Sequence, residues 1–224
     1  MELTILMPCL NEEKTIQTCI DKAFKFLDEN SINGEVLIAD NGSSDNSINI
    51  IKNTKARLTT VKEKGYGSAL ISGIKASHGK YIIMCDSDDS YDLENIMPFL
   101  EKLREGNDLV MGNRYSYIEK GAMSISHFFG VKFLTGMGNI IYKTKLHDYH
   151  CGLRGFNRKK IMKLNLECLG MEFASEIIIK CQKSNYKIVE IPTKLFKDGR
   201  NCKSHLNTIR DGLRHVNCLM KNRK

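Results

Sequence analysis

The chain has 224 residues, 42% of them hydrophobic and 27% charged, with a formal net charge of +8. That is enough chain to bury one sizeable core and too apolar a mixture for disorder, and no apolar stretch reaches the ~18 residues that span a membrane. The opening MELTILMPCLNEE turns acidic too early for a signal peptide, which predicts a cytoplasmic chain, and eight cysteines without a C-x-x-C pair read as reduced core hydrophobes.

Leu3–Met7 is a short apolar run, and Asn11 follows as the expected N-cap of a helix with Glu12 and Glu13 in its first turn. Ile16, Cys19, Ile20, Ala23, Phe24 and Leu27 then recur at helical spacing. The unit repeats: Val36–Ala39 as strand, a DNGSSDNS turn and a helix carrying Ile48 and Ile51; then Leu58–Lys62, a KGYG turn and a helix through Leu70, Ile71 and Ile74. Tyr81–Cys85 is a fourth strand and Leu109–Met111 a fifth. Strands alternating with helices predict an α/β fold with a mostly parallel sheet flanked by helices, because parallel neighbours need long crossovers. After Asn113 the alternation fails. A helical stretch, a CGLRGF segment, a helix near 171–184, a strand at Ile188–Ile191 and a basic final helix follow. Without a linker or repeat, the chain reads as a single domain, 1–224, with a ligand-binding half (1–114) and an acceptor-shaping half (115–224).

In such a sheet, ligands bind beyond the carboxyl ends of the strands. Four of those ends are polar or glycine-rich: PCLNEE, DNGSSD, DSDDSYD and GNRY. Asp86 and Asp88 place two carboxylates around one point outside the sheet, the hard-oxygen pair that Mg²⁺ or Mn²⁺ takes while keeping waters and a diphosphate; the alternative is a turn and helix cap. Three acids in the four residues 86–89 repel one another unless a cation or donors neutralise them. Asp40 is either an Asn-Gly turn former or an acceptor for a base or ribose. Gly65 and Gly67 would let backbone N–H groups approach an anion, and Arg114 could pair with diphosphate or lie exposed.

Basic residues concentrate near the end, with nine Lys/Arg in 194–224, including Lys203, Arg210 and Arg214 beside His205, an attraction for phosphate or an anionic membrane surface. Residues 121–142 hold a single charge, Lys132, and suit a membrane interface or a buried helix. A basic nucleic-acid-binding module would explain the charge and is a further alternative, but a nucleic-acid partner is not expected, since basic and aromatic residues do not interleave.

Taken in order, Pro8-x-x-Asn11-Glu12, Asp40-Asn41-Gly42-Ser43-x-Asp45, Gly65-Tyr66-Gly67, Asp86-x-Asp88 and Gly112-x-Arg114 resemble family 2 glycosyltransferases of the GT-A fold. Asp148-x-x-Cys151-Gly152-Leu153-Arg154-Gly155-Phe156, Gly170-Met171-Glu172-Phe173-x-x-Glu176 and Asp198-Gly199-Arg200 resemble the dolichyl-phosphate mannose synthase branch. The resemblance implies a metal-dependent, inverting hexosyltransferase using a UDP- or GDP-sugar donor and a polyprenyl-phosphate acceptor, peripheral on the membrane. A soluble transferase acting on a protein, peptide or glycan is the alternative. Carried onto this chain, Pro8, Asn11, Glu12 and Asp40 would line the base and ribose pocket, with Gly65 and Ser87 among the nucleotide contacts. Asp86 and Asp88 would hold the metal, and Arg114 and Arg200 phosphate oxygens. Glu172 or Glu176 would be the base if the acceptor is a hydroxyl. The family often has Asp where Asn41 stands, and a glutamine metal ligand of mannose synthases falls at Ser90.

Overall fold

The computed structural model describes residues 1–200 and 208–223; the expected basic pair Lys203 and His205 lies outside them. Its elements are β1 (Leu3–Cys9), α1 (Ile16–Glu29), β2 (Gly34–Asp40), α2 (Ser47–Lys52), β3 (Arg57–Thr60), α3 (Tyr66–Ala76), β4 (Tyr81–Met84), α4 (Met97–Arg104) and β5 (Leu109–Ile118), then α5 (Ile125–Tyr142), β6 (Arg154–Asn157), α6 (Arg158–Met162), α7 (Phe173–Lys183), β7 (Ile188–Leu195) and α8 (Thr208–Lys221). The strands form one seven-stranded sheet in the order β3-β2-β1-β4-β6-β5-β7. All pairings are parallel except those of β6, which runs antiparallel to both β4 and β5.

Both sheet faces are covered, and the two-residue period of a strand decides which side chain goes where. From β1, Leu3, Ile5 and Met7 enter the core beneath α1 and α4 with Phe26 and Phe99; Leu6 enters the opposite core beneath α3 and α7 with Leu70 and Ile177. Each fully buried aliphatic side chain contributes roughly 1.5–3 kcal/mol of transfer free energy. A third, smaller cluster, with Leu134, Tyr142, Ile179, Cys218 and Leu219, joins α5, α7 and α8.

Three features depart from the sequence expectation. Helix α1 begins at Ile16 after Thr15, so Asn11 does not cap it. Asn11 instead adopts a left-handed φ of 58° and its carboxamide oxygen accepts from the amides of Ser44 and Asp45. Helix α4 was not anticipated between β4 and β5, although Phe99, Leu100 and Leu103 are its buried face. Strand β6 carries the sequence RGFN, which has no apolar run or alternation, yet it fills the middle of the sheet. With it, strands from residues 1–114 and from the second half belong to one sheet.

Candidate active site

The carboxyl ends of β1, β2 and β4 lie along one edge of the sheet, and a cleft of about 960 Å³ opens there between them, α5 and α8. Its acidic end is the turn after β4. Asp86 accepts a hydrogen bond from the Tyr66 hydroxyl at 2.9 Å. Its other oxygen lies where a Cβ on residue 152 would approach to 2.2 Å, so a side chain there would displace the carboxylate. Burial, and then the charge of Asp88, push the Asp86 carboxyl up to about 6. Asp88 accepts from the Ser90 amide and hydroxyl through Oδ1 and from Arg200 Nη2 at 2.6 Å through Oδ2. The third acid, Asp89, is drawn off by Lys22 at 2.7 Å. Each member of the acidic run thus has its own donor or counter-charge, as their mutual repulsion demands.

The neighbouring residues brace this turn. The Ser87 hydroxyl donates to the Pro8 carbonyl at 2.7 Å and the Ser87 carbonyl accepts from Thr15 at 2.7 Å, which ties the end of β4 to that of β1. Glu12 accepts from Arg200 Nη1 at 2.9 Å, and burial pushes its carboxyl up to about 7 despite that arginine, Asp88 adding to the rise. Arg200 therefore spans Glu12 and Asp88 with the two arms of its fork. Pro8, Glu12, Gly65, Asp86, Ser87, Asp88, Arg114 and Arg200 all line the cleft.

Three expected contact residues are placed otherwise. Asp40 is completely buried, and its carboxylate accepts from the amides of Gly42 and Ser43, so it builds the turn after β2 rather than facing a base. Asn11 is likewise spent on that turn. Arg114 is nearly buried and directs Nε and Nη2 at the two oxygens of Asp148, at 2.6 and 2.8 Å; its fork is committed to a carboxylate. The Asn41 departure has a structural reason: its amide nitrogen donates to the Glu63 carbonyl and its oxygen accepts from the Gly65 amide, a clasp that aspartate could not complete.

Of the two candidate bases, Glu176 accepts from the amides of Glu167 and Cys168 and pairs with Lys180 at 2.7 Å. Glu172 turns its Oε1 back to the Gly170 amide at 3.3 Å and does not line the cleft. Sequence patterns did not mark Tyr66 as the partner of Asp86, nor Arg154, which is fully buried and donates to the carbonyls of Tyr149, Cys151 and Ala174. His150 and His215 also line the cleft, both held below the ordinary imidazole range, chiefly by burial.

The far end of the cleft is different in character. Val131 and Leu134 of α5 and Leu213 and Val216 of α8 are among its lining residues, together with Arg210 and Arg214. No helix among the described residues is long and apolar enough to cross a membrane.

The model of the Glycosyl transferase family 2 domain matches residues 4–164. The chain belongs to that family. The low-salt glycan biosynthesis hexosyltransferase Agl6 of Haloferax volcanii is 34% identical over 223 residues, covering 98% of this chain and 53% of that protein. The dolichol-phosphate mannosyltransferase of Pyrococcus furiosus is 27% identical over 232 residues, covering 99% and 64%. The dolichyl-phosphate beta-glucosyltransferase of Dictyostelium discoideum is 28% identical over 216 residues, covering 84% and 64%. The chain thus spans half to two thirds of the length of these relatives. Among solved structures, glucosyl-3-phosphoglycerate synthase from Mycobacterium tuberculosis, in a complex with Mn²⁺, UDP and phosphoglyceric acid, superposes with a TM-score of 0.76 at 18% identity, covering 99% of this chain and 78% of that one. That likeness is one of fold, and the fold is the GT-A arrangement expected from the sequence.

Proposed function

We propose that the chain transfers a hexose, with inversion, from a nucleotide-diphosphate sugar to a polyprenyl phosphate. The observation that carries this reading is the polarity of one cleft: paired carboxylates at the end of β4, and an apolar passage with arginines on its rim between α5 and α8. The names of the relatives from Pyrococcus and Dictyostelium, which act on dolichyl phosphate, support the same acceptor class.

Asp86 and Asp88 suit a divalent cation such as Mg²⁺ or Mn²⁺. They are hard oxygen donors on one turn, the ligand type that such a cation takes while keeping waters and a diphosphate. Such a cation would stabilise the negative charge that develops on the leaving diphosphate. Tyr66 holds Asp86 in place, and Arg200 supplies a guanidinium beside Asp88 that can turn toward phosphate oxygens. A phosphate monoester has a second pKa near 6 and is largely dianionic at pH 7, so it attacks without a strong base. The engagement of Glu176 with the amides of Glu167 and Cys168 and with Lys180 accords with that chemistry.

The acceptor would be met at a lipid surface. Along α5, Ile125, Phe129 and Phe133 recur every fourth residue and are 79%, 64% and 64% exposed, with Ile140 continuing the stripe. Leu213 and Met220 of α8 are exposed as well, and Lys132, Arg210, Arg214 and Lys221 supply charge for anionic headgroups. Phe128 does not belong to this stripe; it packs edge-on against Tyr115 at 5.1 Å.

The test is transfer of labelled hexose from UDP- and GDP-sugars to polyprenyl phosphate in anionic vesicles, with and without EDTA. Metal-dependent glycolipid formation is expected. Transfer only to a peptide or glycan hydroxyl would overturn the acceptor class, and full turnover in EDTA would overturn the cation. Phe129→Asp with Phe133→Asp should abolish the salt-resistant part of vesicle binding; unchanged binding would place the acceptor off the membrane.

A further inference from the structure

Six of the described cysteines are buried, and Cys168 is the half-exposed exception. It sits in the turn ahead of α7, and its Sγ lies 4.0 Å from Sγ of Cys218 on α8. Neither thiol has a part in the transfer reaction, so the inference below stands or falls apart from that reading. The two sulfurs belong to segments with different duties. The Cys168 turn backs the start of α3: Ser68 N donates to the Leu169 carbonyl at 3.0 Å, and a Cβ on Gly67 would come within 2.1 Å of the Cys168 carbonyl. Helix α8 instead forms the opposite wall of the cleft through Arg214 and His215, and it is held to α5 by the Tyr142 hydroxyl, which donates to the Leu219 carbonyl at 2.6 Å.

We propose that Cys168 and Cys218 form an oxidation site, a dithiol that peroxides and small-molecule disulfides convert to a disulfide bond joining α8 to the turn behind the nucleotide-side helix. The half-exposed Cys168 is the entry point. With a peroxide, its sulfur attacks the O–O bond and becomes a sulfenic acid while one water leaves. The Cys218 sulfur then displaces the hydroxyl from Cys168, the S–S bond forms, and the second oxygen departs as water with the Cys218 proton. Two thiols lose two electrons and the peroxide gains them. With a small disulfide, Cys168 first forms a mixed disulfide, and Cys218 expels the remaining small thiol.

The sulfurs must close from 4.0 Å to a bonding distance of about 2.05 Å. The hydrogen bond to Cys218, with burial, holds the Cys168 thiol above the ordinary range, and the carboxylates of Glu176 and Glu172 act in the same direction. The same contact lowers the Cys218 thiol, and oxidation of the pair quickens as rising pH forms more thiolate.

The test treats the full chain with glutathione disulfide, and separately with hydrogen peroxide, at pH 8, followed by alkylation and peptide mapping without reductant. A 168–218 cross-linked peptide is expected, with a rise in Tm of roughly 5–10 °C for a bond that closes a loop of this length, reversed by dithiothreitol. In Cys218→Ser, glutathione should remain on Cys168 as a stable adduct. A wild-type map with both thiols free, with glutathione retained on Cys168, or with Cys168 joined to Cys202 would overturn the proposal. So would a 168–218 bond that leaves Tm unchanged, because the bond would then not restrain α8.

Discussion

The turns after β2 and β4 look alike in sequence, DNGSSD and DSDDSYD, and occupy equivalent places at the carboxyl edge of the sheet. They are put to opposite uses. Asp40, after β2, has its lone pairs taken by the amides of Gly42 and Ser43 and is wholly buried. Asp86, after β4, is held by the Tyr66 hydroxyl, and Asp88 by the Ser90 amide and hydroxyl and by Arg200, so all but one of their donors are side-chain groups that line the cleft. A carboxylate at a strand end can bind a ligand only to the extent that the turn it starts leaves its oxygens unsaturated or held by groups that can move. The same distinction separates Arg114, locked on buried Asp148, from Arg200, which bridges Glu12 and Asp88 at the cleft.

The sharpest break in this comparison is in rate. Asp88→Asn should lower hexose transfer at least about 10³-fold, since an amide is a poor ligand for a hard cation, while the melting temperature stays within a few degrees. Turnover above a tenth of wild type would return the β4 turn to the status of the β2 turn.

The two arginines should divide the same way. Arg114→Ala leaves Asp148 as an uncompensated buried charge and should destabilise the fold by about 3–5 kcal/mol, read as loss of Tm. Arg200→Lys should keep Tm and lose about 10²-fold in rate, because lysine retains the charge but cannot fork. Equal Tm losses in the two variants would make Arg200 structural.

Next comes Asp40→Ala, which strands two turn amides and should cost about 1–3 kcal/mol, or several degrees of Tm, with nucleotide affinity of the folded fraction unchanged in calorimetric titration. A stable variant with weakened nucleotide binding would show that Asp40 does contact the donor.

The smallest effect is one of pH. In the metal-free chain the Asp86 carboxyl lies at about 6, above its ordinary 3.8, so between those values the folded chain keeps a proton that the unfolded chain has released. Its contribution is full below about pH 3.8 and is lost as pH rises through 6. Thermal melts in EDTA should therefore show Asp86→Asn gaining on wild type by on the order of 5 °C between pH 4 and 7. A constant difference across that range would mean that Asp86 is not held in a desolvated, repelling site.

Most of the first half was legible from residues alone. The strand–helix alternation places β1 to β5 and α1 to α3 because both sheet faces are covered and the strands read as apolar runs. What the pattern could not tell was whether a polar turn residue spends its oxygens locally, as Asn11, Asp40 and Asn41 do, since that depends on where the next two or three amides point. The second half was less legible. Strand β6 is built from Arg154, Gly155, Phe156 and Asn157, and its stability comes from neighbours on both sides rather than from its own pattern. The apolar stretch 121–142 suited both a buried and an interfacial helix; in α5, Val131 and Leu134 are buried while Phe129 and Phe133 are exposed.

The position of β6 also sets an order of events during synthesis. One edge of β4, with Ile82 and Ile83 at its centre, pairs with residues 154–157, and those emerge some seventy residues later. Until then the nascent chain carries an unpaired, apolar strand edge, the kind of surface that invites association between neighbouring chains. Closing it brings together residues far apart in sequence, which slows folding. A ribosome-bound fragment ending near residue 114 should therefore depend on chaperone protection that the completed chain no longer needs.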